Sequence, residues 1–128
     1  MKIIVTIKRK PGMTFAAFRD HYERSHVALA HKYLGHLFTD YRRNYVLQKD
    51  DDGTPSPSNS DATCDVVTEI WLRDEAAWKE FRQILADPQI GAIFREDETH
   101  FMVQSQLTVF PVEEVRSPAE ALGVATAT

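Results

Sequence analysis

Apolar side chains recur at steps of three or four along residues 14–34, which is the clearest pattern in the chain. The positions that share this helical face are Phe15, Phe18, Tyr22, His26, Leu29 and Tyr33. Thr14 is a typical N-cap, and Pro11 with Gly12 interrupts the preceding segment. The pattern therefore predicts an amphipathic helix that turns the imidazole of His26 toward the core.

Alternation between two faces, with many β-branched and aromatic residues, predicts strands at residues 2–8, 38–48, 64–72 and 101–110. In the third of these strands, Glu69 lies between Val67 and Trp71 on one face. Burying an unpaired carboxylate between apolar neighbours is costly. We therefore expect Glu69 either at the solvent or in a functional cavity.

Two further helices are predicted from their first residues. Asp74 is a typical cap for a helix over residues 75–85, and Asp87 followed by Pro88 begins another. Asp97 falls on the same face of this last helix as its apolar residues. Its carboxylate is therefore expected to point toward the sheet.

Residues 49–63, KDDDGTPSPSNSDAT, contain no apolar side chain larger than alanine. Such a segment cannot bury enough surface to repay its ordering, so it is interpreted as a mobile hairpin loop within a domain of residues 1–110. Residues 111–128 follow Phe110 as a C-terminal arm, which is expected to lie on a partner subunit.

The predicted order of elements, βαββαβ, is that of a ferredoxin-like α+β sandwich with its helices on one face of an antiparallel sheet. The other face would carry apolar side chains without a cover. Pairing with a second copy is the simplest way to bury it, so a homodimer is predicted. Two facing sheets would then enclose a cavity in each subunit.

Composition and charge narrow the function classes. A net charge of −4 and a pI near 5.7 leave no basic surface for nucleic acid. The apolar run after Met1 is too short for a signal segment or a membrane span, so a cytoplasmic protein without a membrane partner is expected. No glycine-rich phosphate loop, CxxC or HExxH motif occurs in the sequence.

Three stretches of sequence carry a resemblance to a known family: KRKPGMTFAAFRDHYERSHVALA near the start, VVTEIWL in the third strand and DPQIGAIFREDETHFM near the end. In their order and spacing, the chain resembles the EthD family of the dimeric α/β-barrel superfamily over residues 1–110. The resemblance implies a dimer with facing sheets, no metal or organic cofactor, and dehydratase or related lyase chemistry on aromatic polyketides, as in fungal relatives. Other relatives are accessory proteins. By position, His26 matches the family's helix histidine and Asp97 its acidic residue before the last strand.

The histidines also suggest a metal site, since His21, His26, His31 and His36 recur every five residues. A step of five turns the side chain by about 140° on an α-helix, so neighbouring members of the series face different directions. Zinc sites on one helix use steps of three or four. No metal site is predicted, and His21, His31 and His36 are expected to be solvated.

His26 and Asp97 form the main candidate catalytic pair, because a carboxylate beside an imidazole orients the ring and holds one tautomer. Alternatives stay open, in that His26 is equally readable as a hydrogen-bonded core residue and Asp97 as a surface acid. His100 is an alternative partner for His26. Glu69 and Tyr45 are candidates for a second acid/base group or an oxygen-binding hydroxyl.

Tyr22, Phe18 and Trp71 are candidate substrate-binding residues, with a purely structural role as the alternative. Three function classes follow for a small hydrophobic or aromatic ligand. The first is a cofactor-independent lyase or dehydratase, the second a cofactor-free monooxygenase, and the third a non-catalytic binding protein of a degradation or biosynthetic pathway. Loss of water, consumption of oxygen, and binding without turnover distinguish them.

Overall fold

The computed structural model describes residues 1–59 and 61–123. Within this part of the chain the strands are β1 (Lys2–Ile7), β2 (Phe38–Tyr45), β3 (Leu47–Lys49), β4 (Pro55–Pro57), β5 (Val66–Leu72) and β6 (Thr108–Val112). The helices are α1 (Phe15–His21), α2 (Val27–Leu34), α3 (Glu75–Ala86) and α4 (Pro88–Glu98). A π-helical turn (Tyr22–His26) joins α1 to α2, and short 3₁₀ turns occupy Gly35–Leu37, Gln104–Gln106 and Ala119–Leu122.

The main sheet has four antiparallel strands in the order β2-β5-β1-β6, with the helices packed on one face. The predicted ferredoxin-like α+β sandwich is confirmed. None of the described helices has the length and apolar character needed to cross a membrane.

The two faces of the sheet differ sharply. In β5, Val66, Thr68 and Leu72 on the inner face are 2% exposed or less, because the helices cover them. The register places Ile4 beside Glu69 and Phe110 on the opposite, outer face. Within the described chain no helix covers that face, and Phe110 is 42% exposed.

The predicted helix starts are confirmed by their hydrogen bonds. The hydroxyl of Thr14 accepts the amide N–H of Ala17 at 3.1 Å, and the carboxylate of Asp74 accepts that of Ala77 at 2.8 Å. These caps satisfy amide groups that have no partner inside the helix. Local sequence therefore fixes where the helices that carry the site begin.

The predicted bounds of two strands were wrong. The strand predicted to reach residue 48 ends at Tyr45, because Val46 accepts a backbone bond from Ser58 and turns the chain into the β3–β4 hairpin. The last strand begins at Thr108. Phe101, its predicted first residue, is instead fully buried in the core. Pro111 lies inside β6, which an edge strand tolerates because one side of its backbone is unpaired.

The loop over residues 49–63 was expected to bury nothing, and this is wrong at Ser58, which is 4% exposed. Its hydroxyl donates to the buried carboxylate of Asp65 at 2.7 Å, and its carbonyl accepts from the guanidinium of Arg9 at 3.1 Å. Asp65 also accepts the amide N–H of Arg9 at 2.8 Å. Hydrogen bonds thus hold the loop against the sheet at Ser58. The mobility of the loop stays a prediction. Residues 124–128 of the predicted arm lie outside the described chain.

The first testable prediction concerns the hydrogen bonds to the carboxylate of Asp65. Asp65→Ala removes the buried carboxylate that accepts from Ser58 and from the amide of Arg9 and that lies 3.5 Å from the guanidinium of Arg9, so we expect the free energy of unfolding to fall by about 3–5 kcal/mol. Urea unfolding followed by circular dichroism measures it. Asp51→Ala, at an exposed position of the same loop, is the matched control and should change stability little. Equal effects of the two substitutions would contradict the prediction.

Candidate active site

A π-helical turn places the polar residues of the site. Within residues 22–26 the backbone bonds span five residues, as in the bond from the amide of Val27 to the carbonyl of Tyr22. The wider turn takes in an extra residue and shifts the side chains that follow. As a result, residues four apart form one row that faces the sheet, namely Tyr22, His26, Ala30 and Leu34.

Asp97, at the C-terminal end of α4, accepts hydrogen bonds from three side chains in and next to this turn. Its Oδ1 accepts from Nε2 of His21 at 2.9 Å and from the hydroxyl of Ser25 at 2.5 Å, while Oδ2 accepts from Nδ1 of His26 at 3.0 Å. The residue is 9% exposed. A buried carboxylate is stable only when it is paired in this way, so the three donors and Asp97 depend on each other.

The electrostatics of Asp97 follow from those contacts. Burial alone would raise its pKa, but the hydrogen bonds from His26, Ser25 and His21 favour the ionised form and together lower the pKa to about 2. Asp97 is therefore a carboxylate throughout the neutral range. It can only accept hydrogen bonds there, which makes His26 the donor through Nδ1–H.

The orientation of His26 is fixed by this bond and by aromatic neighbours. Its ring lies 5.2 Å from that of Phe101 and 5.7 Å from that of Phe94, centroid to centroid. With the proton on Nδ1, the lone pair of the neutral ring sits on Nε2. His26 also lines the cavity described next, so this basic nitrogen is available to a ligand there.

The cavity has a volume of about 100 Å³ and lies between the helices and the inner face of the sheet. Its walls are mostly apolar, and its polar side chains lie on the turn (Tyr22 and His26), on β2 (Tyr41), on β5 (Thr68) and at the end of α4 (Glu98). The hydroxyl of Tyr22 is bonded to that of Thr68 at 2.7 Å, and Tyr41 lines the same space. Burial raises the pKa of both tyrosines, so their hydroxyls stay protonated and can donate.

A second polar cluster lies near the end of β2, beyond the cavity. Glu23 accepts from the guanidinium of Arg43 at 2.8 and 3.0 Å and from the hydroxyl of Tyr45 at 2.5 Å. The bonds from Arg43 lower the pKa of Glu23, whereas burial and the adjacent carboxylate raise that of Tyr45. Tyr45 thus holds Glu23 and does not line the cavity.

The structure brings together three of the predicted site residues, namely His26, Asp97 and Tyr22. His26 and Tyr22 line the cavity, while Asp97 stands behind His26 and touches it. Phe18 is fully buried against Phe101, outside the cavity wall.

The remaining candidates do not line the cavity. Glu69 and Trp71 are on the outer face of the sheet, where Lys2 contacts both, at 3.5 Å from the carboxylate and 4.6 Å from the ring centroid. His100 is a largely exposed side chain whose Nε2 lies 3.5 Å from Glu96. The outer face does not communicate with the cavity described here.

Sequence reasoning missed His21, Ser25 and Thr68. The expectation that His21 is solvated was wrong. On an α-helix a step of five residues turns two side chains in different directions. Across the wider π-helical turn, however, the rings of His21 and His26 both reach the carboxylate of Asp97. Neither glycine nor proline marks that turn in the sequence. The residues described here contain no group of three His, Cys, Asp or Glu side chains arranged to hold a metal ion.

These features define the protein as a ferredoxin-like α+β domain with a histidine and carboxylate pair at an apolar cavity. Sequence comparison matches residues 10–105 to the EthD domain, and the chain belongs to the EthD family. Its fold is similar to that of an ethyl tert-butyl ether D (EthD) family protein of Bacillus halodurans, with a TM-score of 0.58 and 19% identity over 90% of this chain and 99% of that one. No functionally characterised protein in curated collections matches the chain.

The pH dependence of stability tests the role of Asp97. Its pKa in the folded protein, about 2, is below the ordinary value of 3.8, so folding favours the ionised form. This contribution is complete above about pH 4 and is lost as the pH falls through 2. The stability advantage of the wild type over Asp97→Asn should therefore stay constant from pH 6 to about pH 4 and shrink below it.

Urea unfolding of both proteins between pH 6 and 2 measures this difference. Asp61→Asn, at an exposed position, is the control and should run parallel to the wild type throughout. A difference that did not change between pH 4 and 2 would contradict the assignment of Asp97 as a strongly hydrogen-bonded carboxylate.

Proposed function

We propose that this protein is an acid/base enzyme, a lyase of the dehydratase type, that acts on a small hydrophobic molecule held in the cavity. The observation that supports the proposal best is the bond from Nδ1 of His26 to Asp97. His26 lines the apolar cavity, and with Nδ1 bonded to Asp97 its basic Nε2 is left for a ligand there. Family membership is compatible with this function but does not specify a reaction.

His26 is the general base and then the general acid in the proposed reaction. Nε2 takes a proton from a carbon next to the substrate carbonyl, and Asp97 stabilises the imidazolium that forms. The same proton then passes to the hydroxyl group on the neighbouring carbon, the C–O bond breaks, and water leaves. Asp97 acts through His26, so it is a positioning residue.

Tyr22 supports the reaction from the same helical row as His26. Its ring centroid is 5.6 Å from that of His26, and its hydroxyl is anchored by Thr68. A protonated hydroxyl in an apolar cavity can donate to the substrate hydroxyl that leaves as water. The proposed chemistry thus uses side chains of a single chain, with no cofactor.

Replacing His26 tests the proposal. His26→Ala should lower turnover by roughly 10²–10⁴ per folded molecule, because the proton then has no base near it. The assay follows small molecules that copurify with the protein, by mass spectrometry, for a product lighter by one water. His36→Ala removes an exposed histidine paired with Glu80 and is the control.

Melting temperature and turnover are measured on the same preparations. A His26→Ala variant that is destabilised but fully active would contradict the assigned base. Oxygen uptake during turnover would favour the cofactor-free monooxygenase, and ligand binding without any product would favour a binding protein.

We also propose that the outer face of the sheet mediates a homodimer. Apolar side chains there are interleaved with charges: Ile4, Val67, Trp71, Phe110 and Val112 with Lys2, Asp40, Arg42 and Glu69. Several of these charges are already paired, as Lys2 with Glu69 and Asp40 with Arg42. A face of this kind can be buried against a second copy without leaving charges unpaired.

Light scattering tests the dimer. We expect a mass near twice 14.6 kDa at micromolar concentration and a shift toward the monomer in Phe110→Asp, which places a charge in the apolar part of the face. Ile93→Asp, on the helical layer at a similar exposure of 40%, is the matched control. A wild type of monomer mass would contradict the proposal.

A further inference from the structure

On the side of the cavity formed by His26, Tyr22 and Thr68, one hydrogen-bond acceptor and one donor are left for a ligand. The carboxylate of Glu98, which also lines the cavity, accepts from the side-chain amide of Gln104 at 3.3 Å. His26 uses Nδ1–H for Asp97, which leaves the lone pair of Nε2. Tyr22 and Thr68 have two O–H groups and form one bond with each other, so one O–H remains. Including the hydroxyl of Tyr41, which interacts with that of Tyr22, extends this chain but still leaves a single O–H.

A hydroxyl group is the ligand function that satisfies both positions at once. It donates to Nε2 of His26 and accepts the remaining O–H of the tyrosine and threonine pair. A carbonyl or ether oxygen can only accept, so Nε2 would stay without a partner. A charged group would lose its hydration in a mostly apolar space, and an anion would in addition face the carboxylate of Glu98.

The dimensions of the cavity limit the rest of the ligand. An engineered apolar cavity of about 150 Å³ accommodates benzene, so about 100 Å³ admits at most one ring and excludes fused ring systems. The walls around it are aromatic and aliphatic, with Phe81, Phe94 and Ile70 among them. Such walls favour a compact, neutral, apolar body.

We propose that the cavity selects a neutral molecule of one ring or less that carries a hydroxyl group, which is the class of small cyclic alcohols and β-hydroxy ketones, with phenol as an analogue that does not react. This inference rests on the site of the proposed function and specifies its substrate class. In a dehydration, the bound hydroxyl would be the group that receives the proton from His26 and leaves as water.

Phenol and toluene provide a matched pair of probes, because they have nearly the same size and shape and differ in the hydroxyl. Burial alone would favour toluene, the more hydrophobic of the two. We expect calorimetric titration to show phenol binding roughly tenfold or more tightly, since toluene leaves both polar positions without partners. We expect 1-naphthol, with its second ring, to bind more weakly than phenol.

A pair of isosteric substitutions assigns the donor. Tyr22→Phe combined with Thr68→Val removes both hydroxyls of the bonded pair and deprives only the hydroxyl of Tyr41 of a partner, so the fold should persist. The preference for phenol over toluene should fall roughly tenfold. Tyr45→Phe removes a tyrosine hydroxyl outside the cavity and should leave the preference unchanged.

Equal affinity for phenol and toluene would overturn hydroxyl recognition, and tighter binding of 1-naphthol than phenol would overturn the size limit. A double variant that retains the full preference would overturn the assignment of the donor pair. The comparison of the probes on the wild type stands even where the double variant does not fold. These outcomes are independent of turnover, so selective phenol binding without any dehydration would contradict the proposed function and leave this inference standing.

Discussion

The shared carboxylate of Asp97 is the constraint on which the site depends. It joins the end of α4 to the first helical segment through hydrogen bonds from His21, Ser25 and His26. Burying a carboxylate is unfavourable without donors, and holding an imidazole in one orientation is unfavourable without an acceptor. The imidazole supplies a donor to the carboxylate, and the carboxylate supplies the acceptor that holds the imidazole. The basic nitrogen of His26 therefore faces the cavity as a consequence of packing, before any ligand is bound.

The π-helical turn makes this convergence possible, and it also marks the limit of what the sequence could predict. Periodicity and caps are local, so the helix around His26, the caps at Thr14 and Asp74, and the ferredoxin-like order were predictable from short segments. The side-chain directions after Tyr22 were not, because an α-helical step was applied to a stretch that bonds over five residues. The interpretation of His21 failed for that reason, and Ser25 carried no signal of its own.

Strand residues illustrate a different limit. Alternation correctly separated Glu69 and Trp71 from Thr68, but it could not say which face adjoins the cavity. That depends on how far the helices stand from the sheet, a distance set by long-range packing. Tyr45 is a related case, since its partner Glu23 comes from the π-helical turn. Residues that meet only through tertiary structure stayed outside the reach of sequence patterns.

The unfilled cavity beside these polar groups lowers the stability of the domain. Leaving about 100 Å³ unfilled by side chains forgoes about 2 kcal/mol of packing, a large share of the stability of a small domain. A core serving only stability could recover this with larger residues at Ala30 or Thr68, both of which line the space. The bond between the hydroxyls of Tyr22 and Thr68 forms without a ligand, so the pair leaves only a single O–H to be satisfied. A cavity kept open beside an oriented histidine is what a binding or catalytic role requires, and structural stability alone does not account for it.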